Sequence, residues 1–256
     1  MAIITLLSDW GTTDYYVAAV KGKILNLLPD ATIVDISHNI RHFDVVHAGF
    51  TIRNCYKSFP EGTIHLLCVN EDLDQDVVPV VVKFNGQYFI GADNGIFDYI
   101  IDGPLEEVYK IDLMQDGEVF TFGCLSRFVN VAALLAKGSP LSAVGDKLES
   151  FTTASVFKAA VHSHCLVGNV IHVDDYGNAI TNISSELFDK VIGYNKVEVI
   201  VEGYVITDIS ERYSDVPQQE LVVVFGSHGF LEVAMNCGSA SSLCGVKVGS
   251  RVTINY

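Results

Sequence analysis

Two carboxylates and three hydroxyls crowd the segment Ser8-Asp9-Trp10-Gly11-Thr12-Thr13-Asp14. A carboxylate in such a turn can accept hydrogen bonds from a ribose diol, because two adjacent hydroxyls match its two oxygens. A plainer reading is also open: Asp14 caps the following helix and Asp9 solvates a loop. Three further polar groups interrupt the apolar runs. They are Asp93-Asn94-Gly95, then Asp174-Asp175-Tyr176-Gly177-Asn178 followed by Thr181-Asn182, then Gly226-Ser227-His228-Gly229-Phe230 followed by Asn236-Cys237-Gly238. Taken singly, each is ordinary turn chemistry. Taken together they form a candidate binding set. Asparagine amides and backbone groups can read a purine edge, Tyr176 and Phe230 offer stacking faces, and the Ser227 hydroxyl can hold a carboxylate.

These groups need elements to position them. Ile3-Ile4-Thr5-Leu6-Leu7 reads as a buried strand, and residues 17–28 as a helix stopped by Pro29. The first polar segment is therefore a strand-to-helix turn, where open α/β sheets gather ligands. Strands are predicted at 31–36 and 63–69, and helices over 45–56 and about 128–137. Asn85-Gly86 between two apolar runs predicts a hairpin. The alternation from Ile3 to about Phe157 predicts a layered α/β domain, residues 1–157. Beyond Ala160 the texture changes to short strands, at 165–173, 196–201, 221–225, 230–234 and 251–255. That pattern predicts a small β-barrel domain, residues 163–256.

The totals limit the function classes. A net charge of −15 over 256 residues argues against a nucleic-acid-binding surface. No apolar run approaches the ~20 residues of a membrane helix, and no secretory signal opens the chain. The six cysteines form no Cys-x-x-Cys pair and no His cluster joins them at zinc spacing, so no metal site is expected and most of the thiols read as reduced, buried small hydrophobes. The expected setting is cytoplasmic, without nucleic-acid or membrane partners.

The order of these segments resembles the family of S-adenosylmethionine hydroxide adenosyltransferases, which also contains fluorinases and chlorinases. The resemblance rests on Ser8 to Asp14, Phe43-Asp44-Val45, Asp93-Asn94-Gly95, Asp174 to Asn182, and Phe230 to Asn236 with Gly238-Ser239-Ala240. It implies a homotrimer whose ligand, S-adenosylmethionine, lies between the N-terminal domain of one subunit and the C-terminal barrel of the next. It further implies attack on ribose C5′ with departure of methionine, with S-adenosylmethionine as substrate and no cofactor. Position by position, Asp9 resembles the ribose-binding carboxylate and Phe43 an aromatic wall at the reacting carbon. Asp14 and Asp174 resemble contacts to the methionine ammonium. Asn178 resembles the adenine-reading amide, with Tyr176 its aromatic neighbour. Ser227 resembles the methionine carboxylate ligand, Asn94 a polar group near the ribose, and Cys237 a backbone contact to adenine.

The departures fall at the reactive end. Water-using members carry an Asp-Arg-His set, whose positions here fall on Asn70, Val77 and Gly123. Halogenases lack that set but place an aromatic hydroxyl where Asn70 stands, and an Arg where His228 stands. Asn70 is thus the one candidate catalytic position retained. Three readings follow: cleavage of S-adenosylmethionine by water handled differently, with Glu71, Asp72 or Asp74 as candidate bases; binding of S-adenosylmethionine or adenosine without turnover; or halide attack, which the acidic segment 71–76 opposes.

Overall fold

The computed structural model describes residues 2–72, 77–113, 121–154 and 158–256. Asp74 and part of the expected inter-domain boundary lie outside the described residues. The chain divides into two units, residues 1–155 and 156–256.

Unit 1 alternates strands and helices, as its pattern predicts. In chain order these are β1 (Ile3–Ser8), α1 (Tyr16–Leu27), β2 (Thr32–Ser37), α2 (Val45–Arg53), β3 (Ile64–Cys68), β4 (Pro79–Phe84), β5 (Gln87–Ala92), α3 (Ile96–Ile100), β6 (Glu107–Lys110), α4 (Val129–Ala136) and β7 (Lys147–Leu148). The sheet order is β2-β1-β3-β5-β4-β6-β7, parallel from β2 to β5 and antiparallel beyond. Parallel strands are covered on both faces, so β1 and β3 are continuous apolar runs. Leu6 and Leu66 face a core shared with α1 and α4, while Leu7 and Leu67 face one shared with α2 and α3. The hairpin closes at Asn85-Gly86 with Phe84 opposite Gln87, both turn residues having positive φ. The helix expected over 45–56 ends at Arg53, and a separate 3-10 turn covers Tyr56–Ser58. A π-helical turn, Cys124–Phe128, leads into α4, with the Val129 N–H reaching back to the Cys124 carbonyl.

Because β2 lies on one side of β1 and β3 on the other, the direction in which strands are added reverses at β1 while all three stay parallel. That reversal opens a crevice at the carboxyl ends of β1 and β3, where open α/β sheets bind ligands.

Unit 2 holds β8 (Ala160–Val161), β9 (Cys165–Val173), β10 (Ala179–Ser184), α5 (Ser185–Val191), β11 (Glu198–Val201), β12 (Tyr204–Ile206), β13 (Ile209–Ser210), β14 (Leu221–Phe225), β15 (Phe230–Met235), α6 (Ala240–Cys244) and β16 (Arg251–Asn255). The sheet order is β12-β11-β16-β9-β10-β15-β14-β13, with β8 added beside β9. β12 near one end approaches β14 near the other, which curls the sheet into the nearly closed barrel that the strand pattern predicts. Thr181 and Asn182, read from sequence with the preceding loop, belong to β10. Their polar atoms are satisfied inside the sheet: Thr181 Oγ1 donates to the Leu231 carbonyl at 2.8 Å, and Asn182 Oδ1 accepts the Asn169 N–H at 2.8 Å. Among the described residues no helix is long and apolar enough to cross a membrane.

One buried titratable group links the core of unit 1 to pH. His65 is fully buried on β3; its Nε2 donates to Gln87 Oε1 at 2.7 Å and its Nδ1 accepts from the Thr5 hydroxyl at 2.7 Å. Burial pushes its pKa from 6.5 down to about 4, against a smaller opposing effect of the Gln87 hydrogen bond. The unfolded chain therefore takes up a proton that the folded chain refuses. His65 contributes its full stability above pH 6.5 and loses it as pH falls toward 4. Thermal melting of His65→Gln across that range is expected to be flatter with pH than the parent; an unchanged slope contradicts this origin.

Candidate functional site

The crevice in unit 1 is a cavity of about 500 Å³. Asp9, Trp10, Asp14, Tyr16, His42, Phe43, Asn70, Glu71, Asp72, Thr121, Phe122 and Gly123 line it. A larger cavity of about 560 Å³ lies in unit 2, between Tyr204–Asp208 and Val216–Val222. It contains none of the residues singled out from sequence, so the chemistry points to the smaller one.

Asp9 follows β1 directly and is 8% exposed. Its Oδ2 accepts the Phe43 N–H at 2.8 Å, which ties the segment before α2 across the end of β1. Phe43 sits at φ 63°, a conformation unusual for a large side chain, and its ring stays exposed in the cavity wall. Asp44 next to it caps α2 by accepting the His47 N–H at 2.9 Å. Asp14 does not cap α1: the N-cap is Tyr15, without a side-chain bond, and Asp14 is an exposed cavity residue.

Asn70 stands at φ 48° just beyond β3. Asn94 does not line the cavity. Its amide donates to the Val69 and Asn70 carbonyls at 3.0 and 2.9 Å, and its Oδ1 accepts the Ile96 N–H, so it holds the turn that presents Asn70. Asp93 accepts from the Thr152 N–H and hydroxyl and is structural as well. Glu71 is partly buried and accepts the Cys124 N–H at 3.0 Å. Burial pushes its carboxyl up to about 8; the Cys124 bond opposes this and the Asp9 charge reinforces it.

In unit 2, Asp174 Oδ1 accepts the N–H groups of Tyr176 and Asn178 at 3.0 and 2.8 Å, and its Oδ2 accepts the Asn178 amide at 3.1 Å. This compact turn fixes Asn178, 9% exposed, and leaves Tyr176 projecting into solvent. Because Ala179 on β10 pairs with Val233 on β15, the turn shares an end of the barrel with the segment after β15 that carries Cys237. Cys237 is exposed at φ 53°. The Ser241 N–H bonds the Gly177 carbonyl at 3.0 Å across that end. Ser227 and His228 lie in the turn before β15, at its opposite end.

Sequence reasoning missed a buried carboxylate between them. Glu232, 3% exposed, accepts from Tyr213 Oη at 3.0 Å and from His228 Nε2 at 3.1 Å. His228 Nδ1 accepts the Phe230 N–H at 3.1 Å, so both ring nitrogens are engaged. Burial, then the Glu232 bond, the Glu232 charge and Asp174 push Tyr213 up to about 12. An acidic residue in the otherwise apolar run Phe230-Leu231-Glu232-Val233-Ala234 was the available signal.

Family models for the SAM hydroxide adenosyltransferase N-terminal and C-terminal domains match residues 4–145 and 168–253. The chain belongs to the SAM hydroxide adenosyltransferase family. It is 28% identical to a protein named (R)-S-adenosyl-L-methionine hydrolase from Methanocaldococcus jannaschii, across 99% of this chain and 96% of that one. A protein of the same name from Thermus thermophilus is 29% identical, across 99% and 100%. A fluorinase from Nocardia brasiliensis is 28% identical, across 98% and 96%. A solved structure of an uncharacterized conserved protein from Thermotoga maritima superposes with a TM-score of 0.90 at 32% identity, covering 99% of this chain and all of that one. Against this family background, two of the three departing positions, Asn70 and Gly123, share the cavity with Asp9, Asp14 and Phe43, whereas Val77 is not among its lining residues.

The Asp174 turn gives this family member a sharp steric test. Gly177 has φ 81°, and a Cβ there would collide with Ser239 Oγ and lie 2.7 Å from Ser239 Cβ. Gly177→Ala is expected to cost about 1–2 kcal/mol in backbone strain and a further ~1–3 kcal/mol in overpacking. Gly203 has φ 85° and open space, so Gly203→Ala should show the first loss only. Urea unfolding of both variants measures the difference, and equal losses would contradict the contact.

Proposed function

We propose that the chain cleaves S-adenosylmethionine by attack of water on ribose C5′, giving adenosine and L-methionine. One observation carries this reading: Asp9, Asp14 and Phe43 line a single cavity at the carboxyl ends of β1 and β3, in a chain of this family. The names of the archaeal and Thermus relatives, (R)-S-adenosyl-L-methionine hydrolase, support the same reaction. The sulfonium is already a good leaving group, so no general acid is required. The protein's tasks are to align the nucleophile with C5′ and to strip its water.

In this reading Asp9 binds the ribose diol and Phe43 walls the reacting carbon. Asp14 and Asp174 meet the methionine ammonium, and Asp174 also orients Asn178 toward the adenine edge beside Tyr176. Ser227 and His228 serve the methionine carboxylate, Cys237 offers backbone to adenine, and Asn94 acts by holding Asn70 at the nucleophile's side. Asp9, Asp14 and Asp72 make the cavity acidic, which favours a sulfonium cation and disfavours a halide nucleophile. S-adenosylmethionine enters as substrate, without a cofactor. The proposal includes a homotrimer with sites between subunits in a cytoplasmic setting, without nucleic-acid or membrane partners; light scattering that returns a monomer removes the trimer.

Incubating the purified chain with S-adenosylmethionine and following adenosine by chromatography tests the reaction. Asp9→Ala is expected to weaken substrate binding tenfold or more, since buried ribose hydroxyls lose their acceptor. The non-catalytic reading is motivated by Asn70, Val77 and Gly123. Tight calorimetric binding with no product would favour it, and an adenosyl halide formed only with added halide would favour the third reading.

A further inference from the structure

The π-helical turn brings three metal-ligating side chains together behind the cavity wall. Cys68 ends β3, Glu71 follows three residues later, and Cys124 opens the turn from a distant part of the chain. One ligating atom of each, the two Sγ atoms and a Glu71 carboxylate oxygen, lies within 4.8 Å of the others. Cys68 is 1% exposed and Cys124 fully buried, while Glu71 reaches the cavity. We propose that Cys68, Glu71 and Cys124 bind one divalent transition-metal ion of the zinc class, leaving a fourth position for water.

The donor set selects the ion. Two sulfurs and one oxygen suit zinc or cobalt and disfavour calcium or magnesium, which take oxygen ligands. A tetrahedral ion with Zn–S bonds of about 2.3 Å needs its sulfurs roughly 3.8 Å apart, inside the 4.8 Å that bounds the present cluster. Charge fits as well. Two thiolates and one carboxylate carry −3, a divalent ion returns this to −1, and Lys23 is near enough to Cys124 to interact with it electrostatically. The Lys23 ammonium is itself anchored on the Leu125 carbonyl at 2.7 Å, on the same turn. Three protein ligands plus an open position is the arrangement of catalytic rather than structural zinc.

For the reaction, this inference rests on the reading of the cavity as an S-adenosylmethionine site. A metal-bound water has its pKa lowered to about 7 and releases a proton to solvent at neutral pH. The resulting hydroxide forms the O–C5′ bond as the C5′–S bond breaks. Sulfur keeps the bonding pair and methionine leaves as a neutral thioether.

Cobalt titration of the reduced, metal-stripped chain tests the site without reference to activity. The expected result is a thiolate-to-cobalt charge-transfer band saturating at one equivalent and bleached by zinc. Cys68→Ser and Cys124→Ser should each lose the band or weaken zinc binding at least tenfold, while Cys55→Ser, remote from the cluster, keeps it. Saturating zinc should raise the thermal midpoint of the parent chain by a few degrees, a readout that holds even if the cysteine variants fold poorly. A parent chain with no band and no zinc-dependent midpoint, or a band that survives in folded Cys124→Ser, overturns the proposal. Calorimetry with S-adenosylmethionine on the metal-free chain separates the two ideas. Nucleoside binding without metal binding sinks the metal site alone; metal binding without nucleoside binding sinks the cavity assignment alone.

Discussion

A single hydrogen bond, from the Phe43 N–H to the Asp9 carboxylate, sets the geometry of the crevice in unit 1. Asp9 is nearly buried at the end of a strand with no room to move, so the segment before α2 must come to it. That segment arrives with Phe43 in the left-handed region, a cost of order 1–3 kcal/mol that surrounding contacts must offset. The consequence is directional. An aromatic ring is left standing in the cavity instead of packing in the core, and one carboxylate oxygen is committed to the backbone. The Asp44 cap on α2 then fixes where the helix can begin.

Much of this was legible in the sequence, and for identifiable reasons. β1 and β3 are long apolar runs because both faces of a parallel sheet are covered, so they announce themselves. Asn85-Gly86 specifies its hairpin locally. β10 was not legible, since Thr181 and Asn182 look like loop residues until their sheet partners, Leu231 and Asn169, are known. The joint positions of Asp9, Asp14, Phe43 and Asn70 in one cavity follow from the β1–β3 reversal, which no local pattern encodes. The Glu232–Tyr213–His228 cluster and the Cys68–Cys124 approach depend on contacts between segments distant in the chain. Residues 19 and 56 positions apart leave no periodic trace.

The two units handle polar groups differently. In unit 1 the carboxylates Asp9, Asp14 and Asp72 face one cavity without being used up by one another, beside the partly buried Glu71 carboxyl. In unit 2 the polar side chains are largely used against each other: Asp174 on its own turn, His228 on Glu232 and Phe230, Glu232 on Tyr213. Such closed networks in low dielectric make rigid scaffolds, because each member orients the next. His228, with its ring nitrogens engaged by Glu232 and Phe230, is held in one orientation.

The π-helical turn at Cys124–Phe128 places one more residue in its loop of backbone than an α-helix would hold. Chain length, rather than any particular side chain, thus sets which way the start of that segment points. Deleting one residue between Leu125 and Phe128 would close the turn as ordinary α-helix with its flanks kept in register, whereas winding the full-length segment as α-helix would carry everything before it round by about 100°. Gly123 would swing off the cavity wall and the Cys124 N–H would lose Glu71. This wall of the cavity therefore depends on the wider turn itself, because the same residues wound as α-helix would not present Gly123 and Cys124 where they stand.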